Sequence, residues 1–383
     1  MLKTNLPFTE EHEMLRDAFK KFIDKELAPH HEQWEKDGIV PREIWAKAGE
    51  NGFLCPWADE KYGGIEADYL YSVIMTEELT KSGCSGFALG LHNDIVVPYI
   101  YAFGDEEQRE RWMPGLISGE SISAVAMTEP GAGSDLQGIK TTAVRDGDSY
   151  IINGQKTFIS NGILSDVVIV AAKTDPNADP PYSGLSLIVV ERGTPGFERG
   201  KKIPKIGMKA QDTAELFFDD CRVPVGNLLG TEGSGFFQLM QKLQPERLVC
   251  AIGGQAMAEQ CLDLTIEYTQ ERQQFGRPIF KFQNTQFVLA DMASEISVGR
   301  AYVDRIIHDH MDGKDIVNET CMAKLWICEM ANRVADRCLQ LHGGYGYCEE
   351  YPISKFWTDG RIQTIFAGTS EVMRMIIARG LGK

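Results

Sequence analysis

Four short stretches of this 383-residue chain carry side chains and backbone that could do chemistry. MTEPGAGSD, at 127–135, sets Pro130 among small residues, and the N–H groups of so tight a loop can face a pyrophosphate. In KTFISNG, strand alternation puts Phe158 and Ser160 on the same face, an aromatic wall beside a hydroxyl. ERQQFG predicts Arg272 and Phe275 on one helical face, three residues apart, and a guanidinium fork suits pyrophosphate oxygens. LQPERLVC places Glu246 and Arg247 side by side just after Pro245. Each stretch also has a plainer reading: an ordinary Gly-rich hairpin, a core Phe, a solvated arginine, and a first-turn acid that favours the helix dipole.

Metal chemistry has no support in the spacing. The nine cysteines include no C-x-x-C pair and read as buried reduced thiols. The histidines form no H-x-x-x-H or H-E-x-x-H pattern, and His308 and His310 lie in a charged helical run where they are expected to be solvated. The GxGS of TEPGAGSD lacks the third glycine and the following helix of a dinucleotide fingerprint. A formal net charge of −16 gives no attraction to nucleic acid or anionic lipid, so an anionic ligand must be met by local groups. The opening MLKTNLPFTEEHEMLRD has acids and no apolar run of the kind a signal peptide needs. VVIVAA at 167–172 is far too short to cross a bilayer, and the expectation is a cytoplasmic protein without a membrane span.

The elements that must position these residues change in texture along the chain. From Thr9 to Ile122 apolar residues recur at three- and four-residue intervals, as in TEEHEMLRDAFKKFIDKEL, which predicts helices. From Ser123 to Gly235, short β-branched and aromatic runs alternate with RDGDS, DPNADPPYSG and RGTPG, which predicts an antiparallel sheet or barrel. Helical periodicity then returns around 236–271, 280–311, 315–341 and 370–379. The expected fold class is α+β in three domains: helical 1–122, β-barrel 123–235 and a helical bundle 236–383.

With that order in place, a family likeness emerges. AMTEPGAGSDLQGIKTTA at 126–143, NGQKTFISNG at 153–162 and ERQQFGRPIFKFQNTQ at 271–286 resemble segments of the acyl-CoA dehydrogenases. So do QLHGGYGYCEEYPISKFWTDGR at 340–361 and IFAGTSEVMR at 365–374, in the family's order across nearly the whole chain. The resemblance implies FAD held noncovalently between subunits of a homotetramer, a dimer of dimers, with electrons passed to electron-transferring flavoprotein. It places Met127, Thr128 and Gly133 at the flavin and Ser134 at a cofactor or substrate phosphate. Phe158 stands where the family often has Trp against the isoalloxazine ring, and Ser160 where it often has Thr near N5. Arg272, Phe275 and Gln283 fall at the pyrophosphate and adenosine edge, and Thr369 and Glu371 belong to the same cofactor set. Gln340, Gly343 and Gly344 would reach the FAD of the neighbouring subunit.

The resemblance also says where a base should be. Many members carry the proton-abstracting glutamate just before the Gly-Thr pair of the IFAGTSEV loop, and here that residue is Ala367. The backbone N–H of Ala367, next to Gly368, can still donate to a thioester carbonyl. In isovaleryl- and long-chain-type members the glutamate comes instead from the helix of LQPERLVC, and Glu246 with Ala367 matches that pairing. The implied reaction is α-proton abstraction by Glu246 and β-hydride transfer to flavin N5, giving trans-2-enoyl-CoA. Arg247 either steadies Glu246, contacts the CoA end or sits at a subunit contact. Gln244, Phe237 and Gly368 are expected at the substrate, and Phe87, Gly90 and Leu91 in the acyl pocket.

The texture is nearest the long-chain branch, as in LHNDIVVPYI and KAQDTAELFFDD. Asp94 is a possible second acid, acting as a base on cyclohexane- or cyclohexene-carboxyl esters or serving as a structural hydrogen-bonding group. Two further functions stand beside the dehydrogenase: an oxygen-coupled oxidase, and a non-enzymatic assembly or binding protein on the same fold.

Overall fold

The structure, a computed structural model, describes residues 4–382. Helix α1 (Glu10–Phe22) starts at Thr9 in a capping box with His12, and three glutamates in its first turn favour the dipole. Helices α2 (Ala28–Asp37), α3 (Arg42–Glu50), α4 (Tyr69–Ser82), α5 (Val97–Phe103) and α6 (Glu106–Ser118) follow. A π-helical turn, Leu91–Val96, leads directly into α5 and carries Asp94.

Seven strands come next: β1 (Ser123–Ala126), β2 (Thr142–Asp146), β3 (Ser149–Ser160), β4 (Val167–Lys173), β5 (Leu185–Glu191), β6 (Phe197–Lys202) and β7 (Thr213–Pro224). They form one sheet in the order β1-β4-β2-β3-β7-β6, with β5 on β4. Four of the pairings are antiparallel, but β4 runs parallel to β1 and to the start of β2. This departs from a wholly antiparallel sheet because the β2–β3 hairpin serves as the crossover that parallel neighbours need. The VVIVAA run is explained by β4 being buried on both faces. Val168 and Val170 face the sheet interior, while Val167 and Ile169 pack on α5 and α6 residues.

Helices α7 (Gly235–Glu271), α8 (Gln283–Met311), α9 (Val317–His342), α10 (Pro352–Gly360) and α11 (Ser370–Leu381) complete the chain. The short α10 has no counterpart in the sequence reading, since nine residues give too few turns for a periodic signal. Helix α7 has 37 residues, about 55 Å at 1.5 Å per residue, and packs against α4, α8 and α9 in one apolar core. Pro245 lies inside it, which removes the helix hydrogen bond to the carbonyl of Gln241. Glu246 is therefore in the helix interior, beyond reach of the N-terminal dipole, and the first-turn reading of this acid is overturned.

Two other expectations are corrected. Helix α7 ends at Glu271, and Gln273–Gln274 (β8) pairs with Arg277–Pro278 (β9) across a two-residue turn. Phe275 and Gly276 have φ of 51° and 77°, the left-handed pair that such a hairpin turn requires, so Arg272 and Phe275 share no helical face. His308 and His310 are half-buried rather than solvated. The His310 ring lies edge-on to Tyr69 at 4.5 Å, and burial lowers its pKa.

A buried charge cluster ties the two helical regions. Arg300 on α8 reaches Glu77 of α4 at 2.7 Å, Glu259 of α7 at 2.8 Å and Asp304 at 3.3 Å. Arg300→Met would leave Asp304 without a cation among the described residues, and Glu77 and Glu259 with only the longer contacts from Arg16 at 3.9 Å and Lys81 at 3.5 Å. We expect it to cost about 3–5 kcal/mol, read as a lowered midpoint in thermal or denaturant unfolding.

Candidate active site

A cavity of about 900 Å³ opens where α4, α7, the loop after β1, the end of β3 and the 366–368 loop converge. Its wall includes Met127, Thr128, Gly133, Ser134, Phe158, Ser160, Glu246, Arg247, Ala367 and Gly368 from the expected site set, together with Phe87, Gly90 and Leu91. These residues come from five separate stretches of the sequence, and only the fold brings them to one space.

Glu246 is 3% exposed, and Tyr99 on α5 donates its hydroxyl to Glu246 Oε1 at 2.8 Å. Burial raises the carboxyl to about 7, against the opposing pull of the Tyr99 hydrogen bond and the Arg247 and Lys242 charges. The shift is thus built into the protein before any substrate excludes water. Arg247 is equally buried, with Nη1 3.4 Å from Cys321 Sγ and a buried Nε that has no partner. Sequence reasoning missed Tyr99, because nothing in VVPYIYAF separates a hydrogen-bonding core tyrosine from a packing one.

The β-domain wall is shaped by a bulge. The register of β3 on β7 slips between Lys156 and Ile159, and Phe158 takes a φ of 58°. Phe158 and Ser160 do line the cavity together, and the Phe158 ring is left 65% exposed. Of the eight non-glycine residues with positive φ among those described, Phe158, Met208 and Ala367 all line this cavity. Such backbone costs about 1–3 kcal/mol per residue and persists only where its surroundings hold it. Behind the bulge, the fully buried Lys156 donates to Met127 O at 3.0 Å and Glu129 Oε1 at 2.9 Å. Glu129 in turn accepts from the N–H groups of Lys140 and Thr141. Asp359 at the cavity edge joins three regions, accepting from Ser85 Oγ at 2.6 Å and from the Met208 N–H.

Other expected residues lie elsewhere. Arg272, Gly343 and Gly344 line a second cavity of about 480 Å³ with Tyr268, His342 and Tyr345. Phe275 is 94% exposed at its hairpin tip, and Gln283 and Gln340 are exposed on α8 and α9. Phe236, not Phe237, lines the main cavity, because adjacent helix positions point about 100° apart and Phe237 turns outward. Gln244 is half-buried outside the cavity lining. Thr369 caps α11 by accepting from the Val372 N–H, and Glu371 is an exposed first-turn acid there. Asp94 stands behind the wall, accepting from Ser72 Oγ at 2.6 Å, and burial raises it to about 7.

A buried carboxyl of raised pKa and an uncovered aromatic ring thus line one cleft between helical layers and a curled sheet, a space that can seat a flat cofactor beside a substrate. Family models for acyl-CoA dehydrogenase match the chain as N-terminal domain over 9–120, middle domain over 124–221 and C-terminal domain over 233–382. The chain belongs to the acyl-CoA dehydrogenase family, FAD-dependent oxidoreductases that act on acyl-CoA. It is 47% identical over 372 residues to the mitochondrial long-chain specific acyl-CoA dehydrogenase of Rattus norvegicus, spanning 97% of this chain and 86% of that one. The crystal structure of acyl-CoA dehydrogenase from Geobacillus kaustophilus superimposes with a TM-score of 0.98 at 59% identity, covering all of both chains. Glutaryl-CoA dehydrogenase from Mycobacterium smegmatis, in complex with FADH2, matches at a TM-score of 0.91 and 29% identity, over 98% of this chain and 96% of that one.

The cavity fits the family's cofactor. An added Cβ at Gly131 or Gly133 would meet nothing within 4 Å, the Phe158 ring is uncovered, and the buried Arg247 Nε and Gln363 Oε1 have no partner. Lys156→Met should leave Glu129 buried without its cation and free the Met127 carbonyl. We expect the purified variant to hold FAD roughly tenfold more weakly, measured by flavin absorbance during dilution.

Proposed function

We propose that the protein dehydrogenates straight-chain acyl-CoA esters to trans-2-enoyl-CoA, with Glu246 as the base. The observation that carries this is one buried carboxyl, poised near neutrality, lining the same cavity as Ala367, Phe158 and Ser160. Bound FAD supplies the two-electron acceptor for the β-hydrogen. Met127, Thr128, Ser134, Phe158 and Ser160 would hold the flavin, and the Ala367 N–H would donate to the thioester oxygen, acidifying the α-proton that Glu246 takes. Tyr99 orients the carboxylate by donating to one oxygen, which leaves the other for the substrate. Arg247 stabilises the ionised form of Glu246, the form that can take the α-proton.

Beyond Glu246 the cavity runs between α4 and α7 past Leu79, Phe87, Val249 and Met257. An added Cβ at Gly253 would already be in van der Waals contact with Thr80 at 3.5 Å and Thr76 at 3.9 Å, so the glycine keeps this stretch of α7 clear of α4. That lining, with the long-chain relative, supports a linear acyl chain. Asp94 is already engaged by Ser72 and lies off the lining, so the straight-chain reading is preferred to a second-base mechanism on cyclic esters. The second cavity, with Arg272, Gly343 and Gly344, is assigned to the FAD of a neighbouring subunit in a homotetramer. We assign electron-transferring flavoprotein as acceptor, the cytoplasm as location, and the three domains to 1–122, 123–235 and 236–383.

Anaerobic mixing with acyl-CoA esters from butyryl to palmitoyl should bleach the flavin, while cyclohexane- and cyclohexene-carboxyl esters should not. Bleaching by the cyclic esters alone would move Asp94 into the mechanism. Glu246→Gln should keep FAD yet slow that bleaching by roughly two to four orders of magnitude. Because the base must be ionised, kcat/KM should rise with pH through about 7 and level off above it. Tyr99→Phe removes a hydrogen bond to the charged form, so its profile should move to higher pH; an unmoved profile would remove Tyr99 from this role.

A further inference from the structure

The loop that carries Ala367 is held by a side chain from another helix. Lys324, two turns into α9, is 1% exposed. Its Nζ donates to Phe366 O at 2.9 Å and to Gly368 O at 2.5 Å. A buried ammonium is costly unless it is well matched, and both recorded acceptors here are main-chain carbonyls of one loop. Those two carbonyls bracket Ala367, which sits at a φ of 51° with its Cβ crowded, and Gly368 follows at 92°. Apolar burial does little to hold the loop, since Ile365 is 48% and Phe366 37% exposed.

The geometry of one peptide unit links this clamp to the cavity. In a trans peptide the carbonyl oxygen and the next N–H point in opposite directions within one plane. Drawing Phe366 O toward Lys324 therefore turns the Ala367 N–H away from α9, and Ala367 forms part of the cavity wall. A cation on that carbonyl also polarises the same peptide unit, which strengthens its N–H as a donor. We propose that Lys324 is a positioning residue for the dehydrogenation, aiming and strengthening the Ala367 N–H toward the thioester oxygen. This rests on the reading that Ala367 is that donor.

The test uses two CoA ligands on the FAD-loaded protein. An arylacryloyl-CoA absorbs at longer wavelength when its carbonyl oxygen accepts hydrogen bonds, and an S-alkyl-CoA has no carbonyl to report on. The wild type should red-shift the first ligand. Lys324→Met should lose most of that shift and lower kcat by about 10–100-fold, while binding S-alkyl-CoA as the wild type does. Lys324→Arg, which keeps two donors, should recover part of the shift. A wild type that gives no shift would sink the Ala367 reading itself. A full shift in Lys324→Met would overturn the Lys324 assignment alone, as would an equal weakening of both ligands, which marks a merely structural residue. Should the methionine variant fail to fold, Lys324→Gln serves as a shorter, neutral amide without the ammonium charge: a reduced shift supports the assignment and an undiminished one overturns it.

Discussion

The burial of one carboxyl in the interior of α7 is the constraint on which the rest of this protein depends. As the proposed base, Glu246 is tuned toward neutral pH because water is kept from it, and water is kept out by packing from both sides. Helix α5 covers it with Tyr99, while α4 and α9 flank the helix that carries it. A helix of 37 residues gives that carboxyl a rigid mount, because its position is shared with a long apolar core rather than with a loop.

Around this mount the cavity wall is made of backbone held in costly conformations. Phe158, Met208 and Ala367 each take a left-handed φ, and each lies beside a polar anchor that offsets the cost. Lys156 holds the Met127 carbonyl behind the bulge, Asp359 holds the Met208 N–H, and Lys324 holds the carbonyls on either side of Ala367. The Lys156 anchor lies within the sheet region, while those of Asp359 and Lys324 reach across domain or helix boundaries, so the site is only as ordered as the assembly of its parts. Burying lysines is costly, and both are used where a main-chain atom must be placed rather than where an acid must be neutralised on the surface.

The charge distribution follows the same economy. The protein is strongly acidic, yet the cavity is lined by the buried Arg247 and, at its exposed edge, by Arg379. An anionic CoA ester would thus meet local cations and N–H groups rather than a basic surface, and Arg247 has a free buried donor to offer.

Much of this was determined by the sequence itself. The helix–sheet–helix order follows from periodicity and turn residues, which are local properties of neighbouring positions. That Glu246 and Ala367 belong together could be proposed from the sequence because family motifs are local strings, and the structure places both on one cavity. What only the tertiary structure decided are matters of distance and direction. The hairpin at Phe275 and Gly276, the bulge at Phe158 and the outward turn of Phe237 each depend on backbone angles that residue type does not dictate. The interior position of Glu246, its partner Tyr99 some 147 residues away and the Lys324 clamp arise from long-range packing, to which a single sequence is blind. A lysine reads as surface by composition, and only a fold that surrounds it can turn it into an internal anchor.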